Sequence, residues 1–499
     1  MALFKRREKV LDTRSPIDKA IGRTWRGTMA LFVALLLALS YVQVIGAPEL
    51  NANSWNFRQM YKQFDAPRGA ILVSGDAIAE SVPSDGEFDY QRVYRDPLLF
   101  SGLTGFYSLS HGTSGLESAM NDELSGSSDT QFLERFSDLL TGDTMQGAQV
   151  ELTIDKDIQQ LVYDTIPDDV RGTVVVTEVK TGNVVAMVSK PSYDTNLLAV
   201  QSTAKAQQNM KKILETPGLS PYSTRATSAL IAPGSTFKII DTVAALESGD
   251  YDPDTTLENP DRITLPGTRT QVPNYHGGIC SGRSEAPLSF LFTQSCNTPF
   301  IKMAGDLGQE KIRKTAENFG FGQQFKIPLD VTASHFPPEL DPAQLGLAAL
   351  GQGDVKVTPL QMNMVAAAIA NEGKLMRPNL IKTVRGKDLK VLEQPKPKEI
   401  RRATSAKVAK QVKDLMVGVV NDRGTGYQAQ SSQMTIAAKT GTAELGDGSK
   451  NVNSWITGFA PAEDPQYAVT LVFEDLPYER GHTLTSPNLK KILEAVVKP

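Results

Sequence analysis

Ala232-Pro233-Gly234-Ser235-Thr236-Phe237-Lys238-Ile239-Ile240 sets a sharp Pro-Gly break directly against an apolar stretch that ends near Glu247-Ser248-Gly249. From Phe237 to Leu246 apolar residues occupy nearly every face, so the segment reads as a helix enclosed in a domain core. Gly249 then stands where a helix favours a left-handed C′ residue. Ser235 and Lys238 are three apart and share one helical face. A serine hydroxyl is a weak nucleophile at neutral pH, and a neutral amine beside it is one of the few side chains able to take its proton. Burial disfavours the charged ammonium, and so does the positive end of the helix dipole. The spacing alone is weak, because Ser202-Thr203-Ala204-Lys205 repeats it among Gln201, Gln207 and Gln208. That copy has no Pro-Gly break before it and no buried helix after it, and it reads as a decoy.

Two further motifs follow in order. Ser295-Cys296-Asn297 lies between apolar segments, and Lys439-Thr440-Gly441-Thr442 lies on an expected strand beginning near Met434. Alternate residues of a strand share a face, so Thr440 and Thr442 point one way and Lys439 the other. Gly441, without a side chain, is expected to let a substrate backbone come close. Copies of these patterns also occur: Ser54-x-Asn56, Ser486-x-Asn488 and Lys180-Thr181-Gly182, the last reading as a hairpin turn. Each motif is weak by itself, whereas the ordered set in suitable contexts is specific.

The chain has 499 residues and a formal net charge of −4, which argues against a nucleic-acid surface. Lys5, Arg6, Arg7, Lys9, Arg14, Lys19, Arg23 and Arg26 precede an uncharged stretch from Thr28 to Gly46. As a helix that stretch spans roughly 28 Å, close to the thickness of a bilayer core. It reads as one uncleaved membrane anchor, 28–46, with the basic tail 1–27 in the cytoplasm and the rest outside. Residues 47–150 are rich in Ser, Gly, Asp and Pro and suggest a small membrane-proximal module. Residues 151–499 read as one domain. Gly172–Val179 and Val184–Val188 form an expected hairpin about the Lys180-Thr181-Gly182-Asn183 turn, and Ser454–Ala460 with Tyr467–Phe473 form another. Strands from both ends with helical material between them predict an α+β fold with an antiparallel sheet flanked by helices. His111, His276, His335 and His482 are scattered without metal-ligand spacing, and no cofactor is expected.

The ordered motifs resemble those of the penicillin-binding proteins and serine β-lactamases. Leu350-Gly351-Gln352-Gly353-Asp354-Val355-Lys356-Val357-Thr358-Pro359, Ala370-Asn371-Glu372-Gly373 and Pro378 are similar to a stretch of the penicillin-binding transpeptidases. Arg68-Gly69 and Gly112-Thr113-Ser114-Gly115-Leu116-Glu117 resemble pieces of the non-catalytic, dimerisation or pedestal module of class B members. Within class B the chain looks closest to the actinobacterial penicillin-binding protein A group. The resemblance implies a five-stranded antiparallel sheet and a D,D-transpeptidase that cross-links D-Ala-D-Ala stem peptides and is inhibited by β-lactams. Ser235 would be the acylated nucleophile and Lys238 its base, with Ser295 and Asn297 relaying the proton and holding the substrate amide. Lys439, Thr440 and Thr442 would bind the terminal carboxylate, and the N–H groups of Ser235 and Thr442 would form the oxyanion hole. A polytopic glycan polymerase of the shape, elongation, division and sporulation family would be the partner in the membrane.

Cys280 and Cys296 are the two cysteines of the chain, and an oxidising exterior permits either a bridge or two free thiols. Two alternative functions stand beside the transpeptidase. One is a hydrolase, either a D,D-carboxypeptidase or a β-lactamase, for which no water-activating carboxylate is identified. The other is a non-catalytic penicillin-binding sensor or scaffold, which usually carries further membrane helices or a cytoplasmic domain.

Overall fold

The computed structural model describes residues 15–46, 64–131, 146–274, 277–421, 424–446 and 448–497. Residues 1–14 of the basic tail, 47–63 of the membrane-proximal module, the Ser54-x-Asn56 copy and His276 lie outside them. The chain divides into two units, 1–63 and 64–499.

The first unit contains a helix, Pro16–Ser40, continued by a π-helical turn, Tyr41–Ile45. Ser15 caps it through a capping box with Asp18, and Pro16 takes the first helical position, where a missing N–H costs nothing. The span 16–43 is long and apolar enough to cross a membrane. It starts twelve residues before the expected anchor, because the cap at Ser15 recruits the basic segment with Lys19, Arg23 and Arg26 into the same helix.

The second unit is built on two sheets. The larger domain has a five-stranded antiparallel sheet. Its spatial order is Ala437–Glu444, Asn451–Ala460, Tyr467–Pro477, Arg171–Glu178 and Val184–Lys190. Strands from both ends of the domain thus meet in the middle, as the two expected hairpins require. The strand carrying Lys439 begins at Ala437 rather than Met434 and lies at the sheet edge. Helix Pro359–Ala370 is buried on nearly all sides. Its Asn363 accepts a hydrogen bond from Thr177 Oγ1 (2.6 Å) and donates to Val175 O (3.3 Å) and Ala468 O (3.1 Å). A buried amide with its bonds made locks the helix to two central strands, where an unpaired one would cost about 1–3 kcal/mol.

The second sheet is mixed and non-local. Ile71–Val73, Asp76–Pro83, Tyr90–Tyr94 and, somewhat later, Gln149–Leu152 come from the first part of the unit, and Ile381–Arg385 with Val391–Glu393 from far down the chain. The expected boundary at 150 therefore does not bound this sheet, since Ile381–Arg385 pairs antiparallel with Gln149–Leu152. Beside it, Glu117 is fully buried between Arg68 Nε (2.5 Å) and Arg92 Nε (2.6 Å). Burial works to raise the Glu117 carboxyl, but the two guanidiniums overcome it and hold the group below the usual carboxylate range.

Candidate active site

The site begins where the Pro233-Gly234 break meets the core. Gly234–Phe237 forms a 3-10 turn that runs into helix Lys238–Ser248, and Gly249 ends the helix with φ +79°. The turn is held from outside by two hydrogen bonds and braced within by a third. Gly234 N donates to Gly351 O (3.0 Å), Trp455 Nε1 donates to Ala232 O (3.0 Å), and Thr236 Oγ1 donates to Pro233 O (2.8 Å). Gly234 and Gly351 both have positive φ, and a Cβ on Gly351 would stand 2.1 Å from Gly234 O. Two backbones meet there with no room for a side chain.

The strand carrying Lys439 packs on the same turn. A Cβ on Gly234 would lie 2.5 Å from Thr442 O, so the backbones that bear the Ser235 and Thr442 amides abut. Gly441 departs from the expectation that its bareness admits a substrate backbone. A Cβ there would lie 2.8 Å from Pro233 O and 2.9 Å from Thr236 Cγ2, so the space it frees is filled by the serine turn itself. Along the strand Lys439, Gly441 and Ala443 are buried while Thr440 and Thr442 are half-buried, the alternation expected of a strand.

Ser295-Cys296-Asn297 forms the turn between helices Leu288–Thr293 and Thr298–Leu307. Ser295 sits at φ +55°, a left-handed conformation that costs a non-glycine residue about 1–2 kcal/mol and is kept where the surroundings enforce it. Those surroundings are on both sides. Asn274 Oδ1 accepts from Asn297 N (2.7 Å) and Thr298 N (3.1 Å), and a disulfide joins Cys296 to Cys280. Asn274 Nδ2 in turn donates to Asn259 Oδ1 (3.1 Å) and Pro260 O (2.8 Å).

The three motifs converge through two lysines. Lys238 is fully buried, and its Nζ donates to Ser295 O (2.9 Å), Cys296 O (2.8 Å) and Asn297 Oδ1 (2.8 Å). Lys439 is also fully buried, and its Nζ donates to Ser295 Oγ (2.8 Å) and Thr440 O (3.0 Å). Ser295 thus lies between both amines. In this arrangement Lys238 bonds the Ser295 turn rather than Ser235, and Lys439 bonds the Ser295 hydroxyl. Thr440 and Thr442 are half-buried, and Thr440 Oγ1 shares a hydrogen bond of 2.6 Å with Thr425 Oγ1.

Burial drives the Lys238 amine well below its ordinary value, and the neighbouring charge of Lys439 adds to this while Asp241 opposes it. Burial alone pulls Lys439 down to about 7. Two buried amines thus bond the same residue, Lys439 through the Ser295 hydroxyl and Lys238 through the Ser295 backbone carbonyl, and burial lowers the proton affinity of both.

The other copies of the motifs are elsewhere. Ser202 is exposed and caps helix Thr203–Leu214, accepting from Lys205 N at 3.4 Å. Lys180-Thr181-Gly182 is the hairpin turn expected of it, with Gly182 at φ +77°. Ser486-x-Asn488 lies within helix Tyr478–Val496. Asn274, Asn259, Thr425 and Trp455 were not legible as site residues, since none belongs to a motif and each acts through a contact distant in sequence.

The Ser235 turn, the buried amines of Lys238 and Lys439, the Ser295 hydroxyl and the two strand threonines are the kinds of group that acyl transfer of the serine-lysine type would use. Residues 172–494 match the family model of the penicillin binding protein transpeptidase domain, and residues 68–150 match that of the penicillin binding protein A dimerisation domain. The chain belongs to the penicillin-binding transpeptidase family. It is 39% identical to the peptidoglycan D,D-transpeptidase PbpA of Mycolicibacterium smegmatis, over 92% of this chain and 94% of that protein. With PbpA of Mycobacterium tuberculosis it shares 36% identity over 94% of this chain and 97% of the other. A solved structure of penicillin-binding protein A from M. tuberculosis, as an imipenem acyl-enzyme complex, superposes with a TM-score of 0.83 at 36% identity, covering 88% of this chain and 100% of that one.

Proposed function

We propose that this chain is a peptidoglycan D,D-transpeptidase of cell-wall synthesis that works through an acyl-enzyme on Ser235. Supporting this reading is the convergence of Lys238 and Lys439 on Ser295 beside the clamped Ser235 turn. The Ser235 hydroxyl attacks the carbonyl between the two terminal D-alanines of a stem peptide, and its proton passes to Lys238. To take that proton Lys238 gives up one of its three present bonds, freeing the lone pair. The departing D-alanine receives a proton from Ser295, which Lys439 replenishes. The N–H groups of Ser235 and Thr442 take the developing oxyanion, each donor worth roughly 3 kcal/mol. Thr440 and Thr442 bind the terminal carboxylate, with Lys439 supporting them from behind, and Asn297 holds the substrate amide. An amine of a neighbouring stem peptide then attacks the ester and gives its proton through Ser295 to Lys439, while Lys238 returns a proton to Ser235 Oγ as the ester C–O bond breaks and the cross-link amide forms.

β-Lactams acylate the same serine. Intact-mass analysis after incubation with penicillin is expected to show one adduct, mapped to the peptide containing Ser235 and released slowly. A label on Ser202 overturns the choice of nucleophile, and rapid turnover of the adduct favours a hydrolase.

By resemblance, the basic segment before the anchor lies in the cytoplasm and 64–499 outside, consistent with the positive-inside rule. A polytopic glycan polymerase in the same membrane is the partner on this reading. Co-purification in detergent tests it, and recovery of the chain without any such polymerase overturns it.

A further inference from the structure

The helix that begins at Lys238 carries a second ionisable residue in its buried interior. Asp241 lies three positions on, on the same side of the helix, and is 0% exposed. Neither of its carboxyl oxygens has a hydrogen-bond partner. Every neighbour along this helix from Ile239 to Leu246 is apolar except Asp241 and Thr242. A carboxyl left bare in such a place costs several kcal/mol unless a nearby charge or a proton compensates it.

The charges around it are few. Lys439 faces Lys238 from the strand Ala437–Glu444 across Ser295. On the helices packed against this one, Lys302 and Asp306, Lys311, Arg313 and Glu317, and Lys407, Lys410, Lys413 and Asp414 are exposed or half-buried. Glu247, at the far end of the same helix, is bonded to Thr404 Oγ1 and Ser405 N. Among the described residues the fully buried ionisable groups here are Lys238, Lys439 and Asp241. Burial raises the carboxyl of Asp241 and favours its neutral form, while the amine of Lys238, when it holds a proton, draws it back toward the carboxylate. The two therefore titrate as a pair.

A base driven too low by burial and by a like charge takes a serine proton poorly. We propose that Asp241 is a positioning residue of the acyl-transfer reaction, whose charge offsets that of Lys439 at Lys238 and sets the pH range in which Lys238 accepts the proton of Ser235. The inference rests on the assignment of Ser235 and Lys238 above, and Asp241 itself transfers no proton.

The test is the pH dependence of penicillin acylation of the full chain in detergent. In the wild type the rate falls on the acid side as Lys238 becomes protonated. Asp241→Asn removes the opposing charge at constant shape, so the acid limb moves to lower pH by about one unit. Its plateau falls about tenfold, because a weaker base takes the proton less readily. Asp241→Glu, which keeps the charge, keeps the limb. Thr242→Val, at a neighbouring buried hydroxyl that also lacks a partner, changes the melting temperature and leaves the limb in place. Asp241→Ser gives the same reading as Asp241→Asn should the latter fail to fold. A folded Asp241→Asn protein with the wild-type limb overturns the proposal, whatever its melting temperature. Absence of any acylation in the wild type overturns instead the functional assignment on which it rests.

Discussion

Ser235-Thr236-Phe237-Lys238 and Ser202-Thr203-Ala204-Lys205 have the same spacing of the same two residue types and opposite surroundings. At Ser202 the hydroxyl caps a surface helix and the lysine stands in water. At Ser235 the hydroxyl lies on a turn held by Gly351, Trp455 and the Thr442 backbone, and the lysine is sealed under the Ser295 turn. A three-residue spacing puts two groups on one face, but only enclosure changes what an amine can do. The sharpest way to break the comparison is to remove each hydroxyl in turn. Ser235→Ala is expected to lose on the order of a million-fold in acyl-transfer rate, roughly 8 kcal/mol, measured as the second-order rate of penicillin acylation. Ser202→Ala is expected to keep the wild-type rate.

The two Lys-Thr-Gly copies differ in the same way, and pH reads the difference. Lys180 is exposed and paired with Asp464 at 2.9 Å, whereas Lys439 is buried and drawn down to about 7 from an ordinary value of 10.5. Between those two values the unfolded chain binds a proton at Lys439 that the folded chain does not. Stability therefore rises with pH across this window, by about 1.4 kcal/mol per unit from this one group. Below about 7 both states are protonated and the contribution is flat. Denaturant unfolding at pH 7 and pH 9 in detergent should show this rise, and Lys439→Met should reduce it. A variant whose slope equals that of the wild type would place Lys439 in water.

Much of this was legible along the chain, and the remainder has a common reason. The buried helix after Ser235, its glycine stop, the two hairpins and the order of the three motifs are written locally, in turn residues and in apolar periodicity. The pairing of Ile381–Arg385 with Gln149–Leu152 is not, because it closes more than two hundred residues of chain. Nor is the role of Gly441, which looked like an opening for substrate and proves to be contact surface for the serine turn. The left-handed Ser295 and its support by Asn274 are equally hidden, since the asparagine sits in a loop and meets the turn only in the folded state.

Trp455 sharpens the contrast at smaller cost. It lies opposite Gly441 in the sheet, is almost fully buried, and its indole N–H is the partner of Ala232 O. Trp455→Phe keeps most of the apolar bulk and leaves that carbonyl unpaired, a loss of about 1–3 kcal/mol in stability. Penicillin acylation should fall as well, because the turn that presents Ser235 loses one of its clamps. A variant with lowered melting temperature and unchanged acylation would show that the glycine contacts alone hold the turn.

The smallest effect returns to Ser202. Its side chain accepts from Lys205 N at the start of a twelve-residue helix whose first turn is exposed, so the hydroxyl satisfies one of the donors a helix leaves open. Ser202→Ala should cost about 1 kcal/mol of stability, read as a small drop in melting temperature. Ser202→Gly should cost a few tenths, since glycine is itself tolerated at a cap. The order matters more than the size. A nucleophile would respond to both substitutions equally in rate and not at all in this order of stability, whereas a cap responds in stability alone.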